Sequence, residues 1–272
     1  MWKDILMSAI IKEQPTNPIT WLGSKIIIGL TNLGKLSGLY LKTFLSILHN
    51  TIFWQNAILQ MELIGVRSLP IVLIFSSFTG MIFSLQIAGI FATFGLSSQL
   101  GQGLTLAFAR ELAPVLTAVV VAGRIGSAIA AEIGSMKVTE QIEALEALST
   151  DPIDYLVAPR ILAASLMLPI LVIFADLVGI TSGLLIAAVY AQIAPQNFID
   201  GILTFVTFWD FAGGICKAFF FGLIISGIAT YRGLLTENGA VGVGKSTTEA
   251  VVYAMVLIFV LNYFLSIILY RL

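Results

Sequence analysis

Five ionisable residues stand in apolar stretches of this sequence, where a charge is costly: Arg110, Glu111, Asp176, Asp210 and Lys217. Ionisable groups in such stretches usually mark a substrate path, a proton relay or a helix contact. We therefore regard the adjacent Arg110 and Glu111, followed by the helix-kinking Pro114, as the first candidate site. The alternative is that a helix simply starts at Arg110, whose side chain then anchors it at the interface.

The other three charges have two interpretations each. Asp176 has no basic neighbour in the sequence, so it must face a helix interface or a wet cavity, or serve as a polar contact that locks helices together. Asp210 and Lys217 are seven residues apart and share one helix face. They either line the mouth of a cavity or mark the boundary of a membrane segment.

The segment Gly239–Ser246 matches the nucleotide-binding pattern G-x-x-x-x-G-K-[ST]. A P-loop needs a buried strand before it and an acidic Mg²⁺ ligand elsewhere, whereas a membrane segment precedes this match and no acid follows in 250–272. We interpret the match as coincidental. Ser246 and Glu249 are instead predicted to form a capping box for the last helix, with the glycines in the turn before it.

Three glutamates at a spacing of three residues predict an amphipathic helix over 138–148: Glu140, Glu143 and Glu146. Apolar residues occupy another face of this helix: Ile142, Leu145 and Leu148. A short helix of this kind between two spans can dock into a partner's groove. The alternative is a solvated helix at the membrane surface.

The elements that must position these residues are membrane helices. Of the 272 residues, 58% are hydrophobic and 11% are charged, which excludes a soluble enzyme. Five segments are long and apolar enough to cross a bilayer: Leu69–Phe94, Leu104–Gly123, Ile161–Val189, Gly213–Tyr231 and Ala250–Leu269. One Cys and one His exclude an internal disulfide and a multi-His metal site, and a net charge of −1 argues against nucleic acid as a partner.

The region before the first span divides into 1–20, expected to be a cytoplasmic segment without a cleavable signal, and 21–63, expected to be an interfacial amphipathic helix. Lys25, Lys35 and Lys42 share one face of that helix. The alternative is a sixth span over 26–48. Residues 64–272 form the predicted transmembrane domain, which includes a cytoplasmic coupling helix at about 133–150. An orientation with the N-terminus inside and the C-terminus outside places 11 of the 14 lysines and arginines on the cytoplasmic side.

Small residues predict close helix contacts at Gly123-x-x-Gly126 and at Gly179-x-x-x-Gly183.

An ordered series of motifs resembles the MlaE-like permease family, the membrane subunits of MCE-associated lipid ABC transporters. The motifs are Arg110-Glu-Leu-Ala-Pro114, Ala122-Gly-Arg-Ile-Gly-Ser127, Ala130-Ala-Glu-Ile-Gly134, Met136-Lys-Val-Thr-Glu-Gln-Ile-Glu-Ala-Leu145 and Asp151-Pro152. The resemblance covers about residues 50–272. It implies an all-α permease with five spans and an N-terminal interfacial helix, located in a bacterial inner membrane or a plastid inner envelope.

The resemblance also implies partners and a substrate path. The chain would form a homodimer and bind a cytoplasmic ATPase, which carries the ATP and magnesium, and an outer MCE-domain protein. The ATPase would dock near Glu132, Lys137, Glu140 and Glu143. Phospholipid would pass a cavity near the Arg110–Glu111 pair, with Asp210 and Lys217 close by. Arginine can bind phosphate directly, and Phe91, Phe94 and Leu112 are suited to line the apolar part.

Two other functions remain as alternatives. An ion- or proton-coupled carrier of a lipophilic substrate would use Asp176, Glu111 and Lys217, but such carriers often contain internal repeats and none is found here. A lipid-modifying membrane enzyme lacks a credible nucleophile and base, because His49 stands alone and Cys216 has only Lys217 as a basic neighbour.

Overall fold

Helices make up nearly all of the chain in the computed structural model, which describes residues 18–49, 52–94 and 99–270. Five of the helices are long and apolar enough to cross a membrane: α2 (Trp54–Phe91), α3 (Leu100–Val138), α5 (Ile153–Val189), α7 (Phe208–Leu234) and α8 (Gly239–Tyr270). The others are α1 (Pro18–Leu48), α4 (Gln141–Ala147) and α6 (Pro195–Phe205). No strand occurs in the described ranges, so the predicted all-α membrane fold is confirmed.

The long helices extend beyond the predicted spans. Each predicted span falls within one of them, apart from the last three residues of the first (92–94), but α2 already begins at Trp54. Residues 54–63, which the sequence grouped with the interfacial region because of their polar side chains, thus lead directly into the first span. Polar residues do not interrupt a helix; they only mark where it leaves the apolar layer.

Four π-turns interrupt the α-helical hydrogen bonding of these helices: Glu62–Val66, Phe108–Leu112, Ala122–Gly126 and Ile153–Val157. In a π-turn a backbone N–H bonds to the carbonyl five residues earlier, as Ala113 does to Phe108. Such turns occur frequently at functional sites. Two of the four lie within α3.

The helix predicted over 138–148 is shorter in the structure. Helix α3 continues to Val138, and α4 spans only Gln141–Ala147. Glu140 adopts a left-handed conformation with φ of 58° at the N-cap of α4, so it lies in the turn rather than on the glutamate face. Of the apolar residues, Ile142 is buried, whereas Leu148 is 76% exposed.

The predicted capping box at Ser246 and Glu249 is wrong. Helix α8 begins at Gly239, because Asn238 and Gly239 supply two left-handed residues with φ of 63° and 65°. The Oγ atom of Ser246 instead bonds to Thr236 Oγ1 at 2.8 Å, and Glu249 pairs with Arg232 at 3.2 Å. The segment that matches the P-loop pattern forms the first turns of a helix rather than a loop between a strand and a helix.

Helix α5 lies at the centre of the bundle and packs against α2 and α7. Gly80 of α2 and Gly179 of α5 bring their backbones together, since a Cβ atom on Gly80 would lie 2.0 Å from the Gly179 carbonyl oxygen. The predicted close contact at Gly179 and Gly183 is therefore confirmed. The prediction fails at Gly123, where a Cβ atom would meet nothing within 4 Å.

Helix α1 packs on the bundle through hydrogen bonds. Tyr40 donates to the Leu223 carbonyl at 2.9 Å, and Tyr231 donates to Asn32 at 3.2 Å. Lys35 and Lys42 are exposed. The side chain of Lys25 and the segment 1–17 are not among the parts of the chain that the structure describes. Among the described residues, α1 is not one of the five helices that are long and apolar enough to cross a membrane.

Candidate functional site

Arg110 and Glu111 lie in the Phe108–Leu112 π-turn of α3, just before Pro114. Pro114 has no backbone N–H to donate to the Arg110 carbonyl four residues earlier. The ammonium of Lys217 donates to that carbonyl oxygen instead, at 2.8 Å. The proline thus leaves an acceptor on α3 that a side chain of α7 uses.

Two ion pairs link α3 to α7. Arg110 Nη2 lies 2.5 Å from Asp210 Oδ1, and Lys217 Nζ lies 2.8 Å from Glu111 Oε1. Asp210 and Lys217 are seven residues apart and so occupy one face of α7, where each meets one member of the adjacent pair on α3. The structure therefore brings together all four charged residues that the sequence assigned to the substrate path.

Asp210 also fixes the start of α7. Its Oδ2 atom accepts from the Thr207 backbone N–H at 2.7 Å and from the Thr207 hydroxyl at 2.8 Å, within a capping box. One carboxylate oxygen thus caps the helix while the other binds Arg110. This double use holds the Asp210 side chain, and through it Arg110, in one orientation.

A row of polar residues on α8 completes the cluster. Asn262 donates to Glu111 Oε2 at 2.8 Å, and the Ser266 hydroxyl lies 2.8 Å from Glu111 Oε1. The Tyr270 ring lies 4.7 Å from the Arg110 guanidinium and 5.1 Å from the Lys217 ammonium. None of these three residues is among those predicted from the sequence. Their spacing of four, which places them on one helix face, is the signal that would have found them.

A cavity of about 560 Å³ opens beside the cluster. Its walls are formed by eight residues: Leu106, Ala107, Arg110, Glu111, Tyr263, Ser266, Ile267 and Tyr270. The Arg110 and Glu111 side chains are 39% and 41% exposed, whereas those of Asp210 and Lys217 are 4% and 0% exposed. The cavity therefore combines an apolar wall with one accessible cation and one accessible anion, a combination that suits an amphiphilic ligand.

The apolar residues expected beside this site lie elsewhere. Phe91 packs near Gly103, Phe94 is 76% exposed, and Leu112 contacts the hydrophobic core. None of the three lines the cavity, because the face of α3 that carries Arg110 and Glu111 points to α7 and α8. Leu106, Tyr263 and Ile267 provide the apolar wall instead.

Asp176 is buried within the bundle and does not line the cavity. The residue is 4% exposed, and its Oδ1 atom is buried without a hydrogen-bond partner among the described residues. This placement matches the predicted helix interface.

The residues expected to contact an ATPase lie at the opposite end of α3. Glu132 pairs with the buried Arg160 at 2.7 Å and so ties α3 to α5. Lys137 pairs with Glu143 and ties α3 to α4, and this hydrogen bond lowers the pKa of the Glu143 carboxyl. Glu140 is exposed in the turn. The surface around α4 is thus held in place by ion pairs.

Comparison with known proteins yields a family and several relatives. The family model described as Permease MlaE matches residues 57–268. The chain is 48% identical to a probable ABC transporter permease protein of Synechocystis sp. over 225 residues. The matched region covers 83% of the chain and 86% of that protein. It is 43% identical over 222 residues to Protein TRIGALACTOSYLDIACYLGLYCEROL 1, chloroplastic, of Arabidopsis thaliana, covering 82% of the chain and 63% of that protein. A probable ABC transporter permease protein of Rickettsia bellii is 38% identical over 90% of the chain and 95% of its own length.

Proposed function

The chain belongs to the MlaE permease family of ABC transporters, and on that premise we propose that it is the membrane subunit of a transporter that moves lipids, phospholipids among them, between membranes. It is a multi-pass membrane protein, and we place it in a bacterial inner membrane or a plastid envelope. A separate subunit hydrolyses ATP in this proposal. The chain itself binds no nucleotide, and the helical form of 239–246 supports that view.

The observation that carries the proposal is the cavity beside the four charges. A lipid needs an apolar surface for its chains and polar partners for its head group, and the cavity offers both. Ionised groups at this depth are too costly to persist without a role or a partner. Arg110 and Glu111 have partners and are still accessible, so they can contact a ligand without losing their ion pairs.

A lipid cargo also agrees with the name of the Arabidopsis relative, which contains the name of a galactolipid. An amphiphile of that kind carries a polar head on two acyl chains. The cavity volume of about 560 Å³ falls within the usual range of ligand pockets, about 300–1,000 Å³. The cavity is therefore large enough for the head group and the adjoining part of the acyl chains.

We propose that two copies of the chain form the permease. The α8 face that carries Tyr263 and Ile267 continues into exposed apolar residues, among them Val256, Phe259 and Phe264. A second copy packed on this face would cover them and close the open side of the cavity. The ATPase then docks at α4, on the cytoplasmic side, and the MCE-domain protein binds at the end where α6 lies.

The test is reconstitution in liposomes with the ATPase and the MCE-domain protein, followed by transfer of labelled lipid. We expect Arg110→Ala and Glu111→Ala to reduce ATP-dependent transfer at least about tenfold, equivalent to about 1.4 kcal/mol, with the complex still assembled. Arg67→Ala removes an exposed ion pair with Glu62 far from the cavity and serves as the matched control.

Two results would contradict the proposal. Unchanged transfer in both cavity variants would remove Arg110 and Glu111 from the path. Transfer driven by an ion gradient without ATP would instead identify a secondary carrier.

A further inference from the structure

The charges around the cavity balance each other. Arg110 is neutralised by the buried Asp210, and Glu111 by the buried Lys217, so the four residues carry no net charge. The two groups that face the cavity also have opposite signs and similar exposure, 39% and 41%. The cavity therefore presents a positive and a negative group side by side and no excess of either charge.

The hydrogen-bonding capacity that remains is mixed as well. Arg110 has five N–H donors and directs one on Nε and one on Nη2 at Asp210, so three donors have no partner among the described residues and can meet a ligand. Glu111 accepts three hydrogen bonds, from Lys217, Ser266 and Asn262, and its two oxygens have room for one more. A matching head group must offer an acceptor to Arg110 and a donor to Glu111.

From these two observations we infer the substrate class: a lipid whose head group has no net charge but carries both donors and acceptors. A zwitterionic phosphate–amine head and an uncharged sugar head share this chemistry. A purely anionic head would gain from Arg110 but meet the Glu111 carboxylate directly beside it, and like charges in contact are unfavourable. The inference rests on the proposed function, since it assumes that lipids enter this cavity.

The experiment is a lipid competition on the purified full-length chain in mild detergent. Four lipids with identical acyl chains are supplied in equal amounts: phosphatidylethanolamine, monogalactosyldiacylglycerol, phosphatidylglycerol and phosphatidic acid. The retained lipids are measured by mass spectrometry. We expect at least one neutral lipid to exceed both anionic lipids by roughly fivefold, the value of one partly exposed charge contact. Equal or greater retention of the anionic lipids overturns the inference.

A matched pair of variants tests the role of Glu111. Glu111→Gln removes the accessible negative group beside Arg110 and leaves Lys217 unbalanced, so the site gains a net positive charge and the ratio of anionic to neutral lipid should rise roughly fivefold. Glu62→Gln removes a carboxylate that is also about half exposed but lies outside the cavity, and it should leave the ratio unchanged. An unchanged ratio in Glu111→Gln contradicts the inference. The competition on the unaltered chain stands even where a variant fails to fold.

A third variant separates this inference from the proposed function. Ala107→Trp fills the cavity and should reduce the total lipid retained. If it does so and the unaltered chain prefers anionic lipids, only the substrate class is wrong. If Ala107→Trp retains as much lipid as the unaltered chain, the lipids do not occupy the cavity, and both proposals fail.

Discussion

Lys217 shows how a charge is accommodated among apolar helices. The side chain is fully buried, and its ammonium group makes three hydrogen bonds, to the Arg110 carbonyl, to Glu111 and to Ser266. An ammonium has three protons, so each one has an acceptor. The long aliphatic stem is buried in the bundle, and the charge is shared between α3 and α8.

We predict that Lys217→Met destabilises the protein by about 2–3 kcal/mol, because it leaves Glu111 half buried without its counter-charge. The double variant Lys217→Met/Glu111→Gln should recover most of this loss, since replacing a whole pair is tolerated better than removing one partner. Denaturant unfolding in detergent micelles measures both. A double variant less stable than Lys217→Met would show that Glu111 does not need its charge balanced.

A second prediction concerns pH. The hydrogen bond from Lys137 lowers the pKa of Glu143, so the folded state binds this proton more weakly than the unfolded state does. The stabilisation is therefore fully present above the ordinary glutamate pKa and disappears as pH falls through the lowered value. Lys137→Gln should raise the pKa of Glu143 towards its ordinary range. A carboxyl carbon NMR titration with labelled glutamate tests this, and an unchanged pKa would remove Lys137 as the cause.

At the scale of the elements, the fit of α2 against α5 depends on glycine. A Cβ atom on Gly80 would lie 2.0 Å from a backbone oxygen of Gly179, which no rotation of a side chain can relieve. On the same helix, a Cβ atom on Gly89 would meet nothing within 4 Å. The two positions therefore form a matched pair.

We expect Gly80→Ala to force the two helices apart and to cost about 1–3 kcal/mol of stability, the usual range for overpacking. Gly89→Ala should be neutral or stabilising by about 1 kcal/mol or less, because alanine has the higher helix propensity. Thermal unfolding of both variants in the same detergent gives the comparison. Equal effects at the two sites would mean that the contact between Gly80 and Gly179 does not limit packing.

Apolar length is a local property, and for that reason the sequence predicted the five spans. The ends of the helices depend on less local features. Helix α8 starts at Gly239, directly after Asn238 and seven residues before Ser246, and the left-handed Glu140 separates α4 from α3. None of Asn238, Gly239 and Glu140 belongs to a hydrophobic pattern, so hydrophobic periodicity does not predict these helix ends. The spacing of Asp210 and Lys217 predicts that they share one helix face, but it does not predict which residue of α3 pairs with each of them.

The apolar lining of the cavity was the least predictable part of the site. The position of Phe91 near the end of its span predicts that it lines the cavity. The helix that faces Arg110 is determined by the packing of the whole bundle, however, and not by position along a span. Tyr263 and Ile267 supply most of that wall from α8, about 150 residues further along the chain than Arg110. Contacts over such separations leave no trace in a single local pattern.

At the scale of the whole molecule, two groups of charged residues lie at opposite ends of α3. One end holds the cavity at Arg110 and Glu111, and the other holds the ion pairs around α4. We predict that Glu143→Lys reduces co-purification of the ATPase at least about fivefold, because it reverses a charge on the proposed docking surface. Glu237→Lys, an equal change on the exposed loop before α8, is the control. Normal binding of the ATPase to Glu143→Lys would rule out α4 as the docking site.

The ion pairs between α3 and α7 also constrain how the chain is made. Asp210 and Lys217 are synthesised about 100 residues after Arg110 and Glu111, which takes roughly 5–20 s at ribosomal speeds. During that interval α3 has emerged from the ribosome with neither of its counter-charges, and a lone charge in lipid is costly. The native ion pairs of α3 can therefore form only after α7 has been synthesised, so the final packing of α3 depends on a helix made well after it.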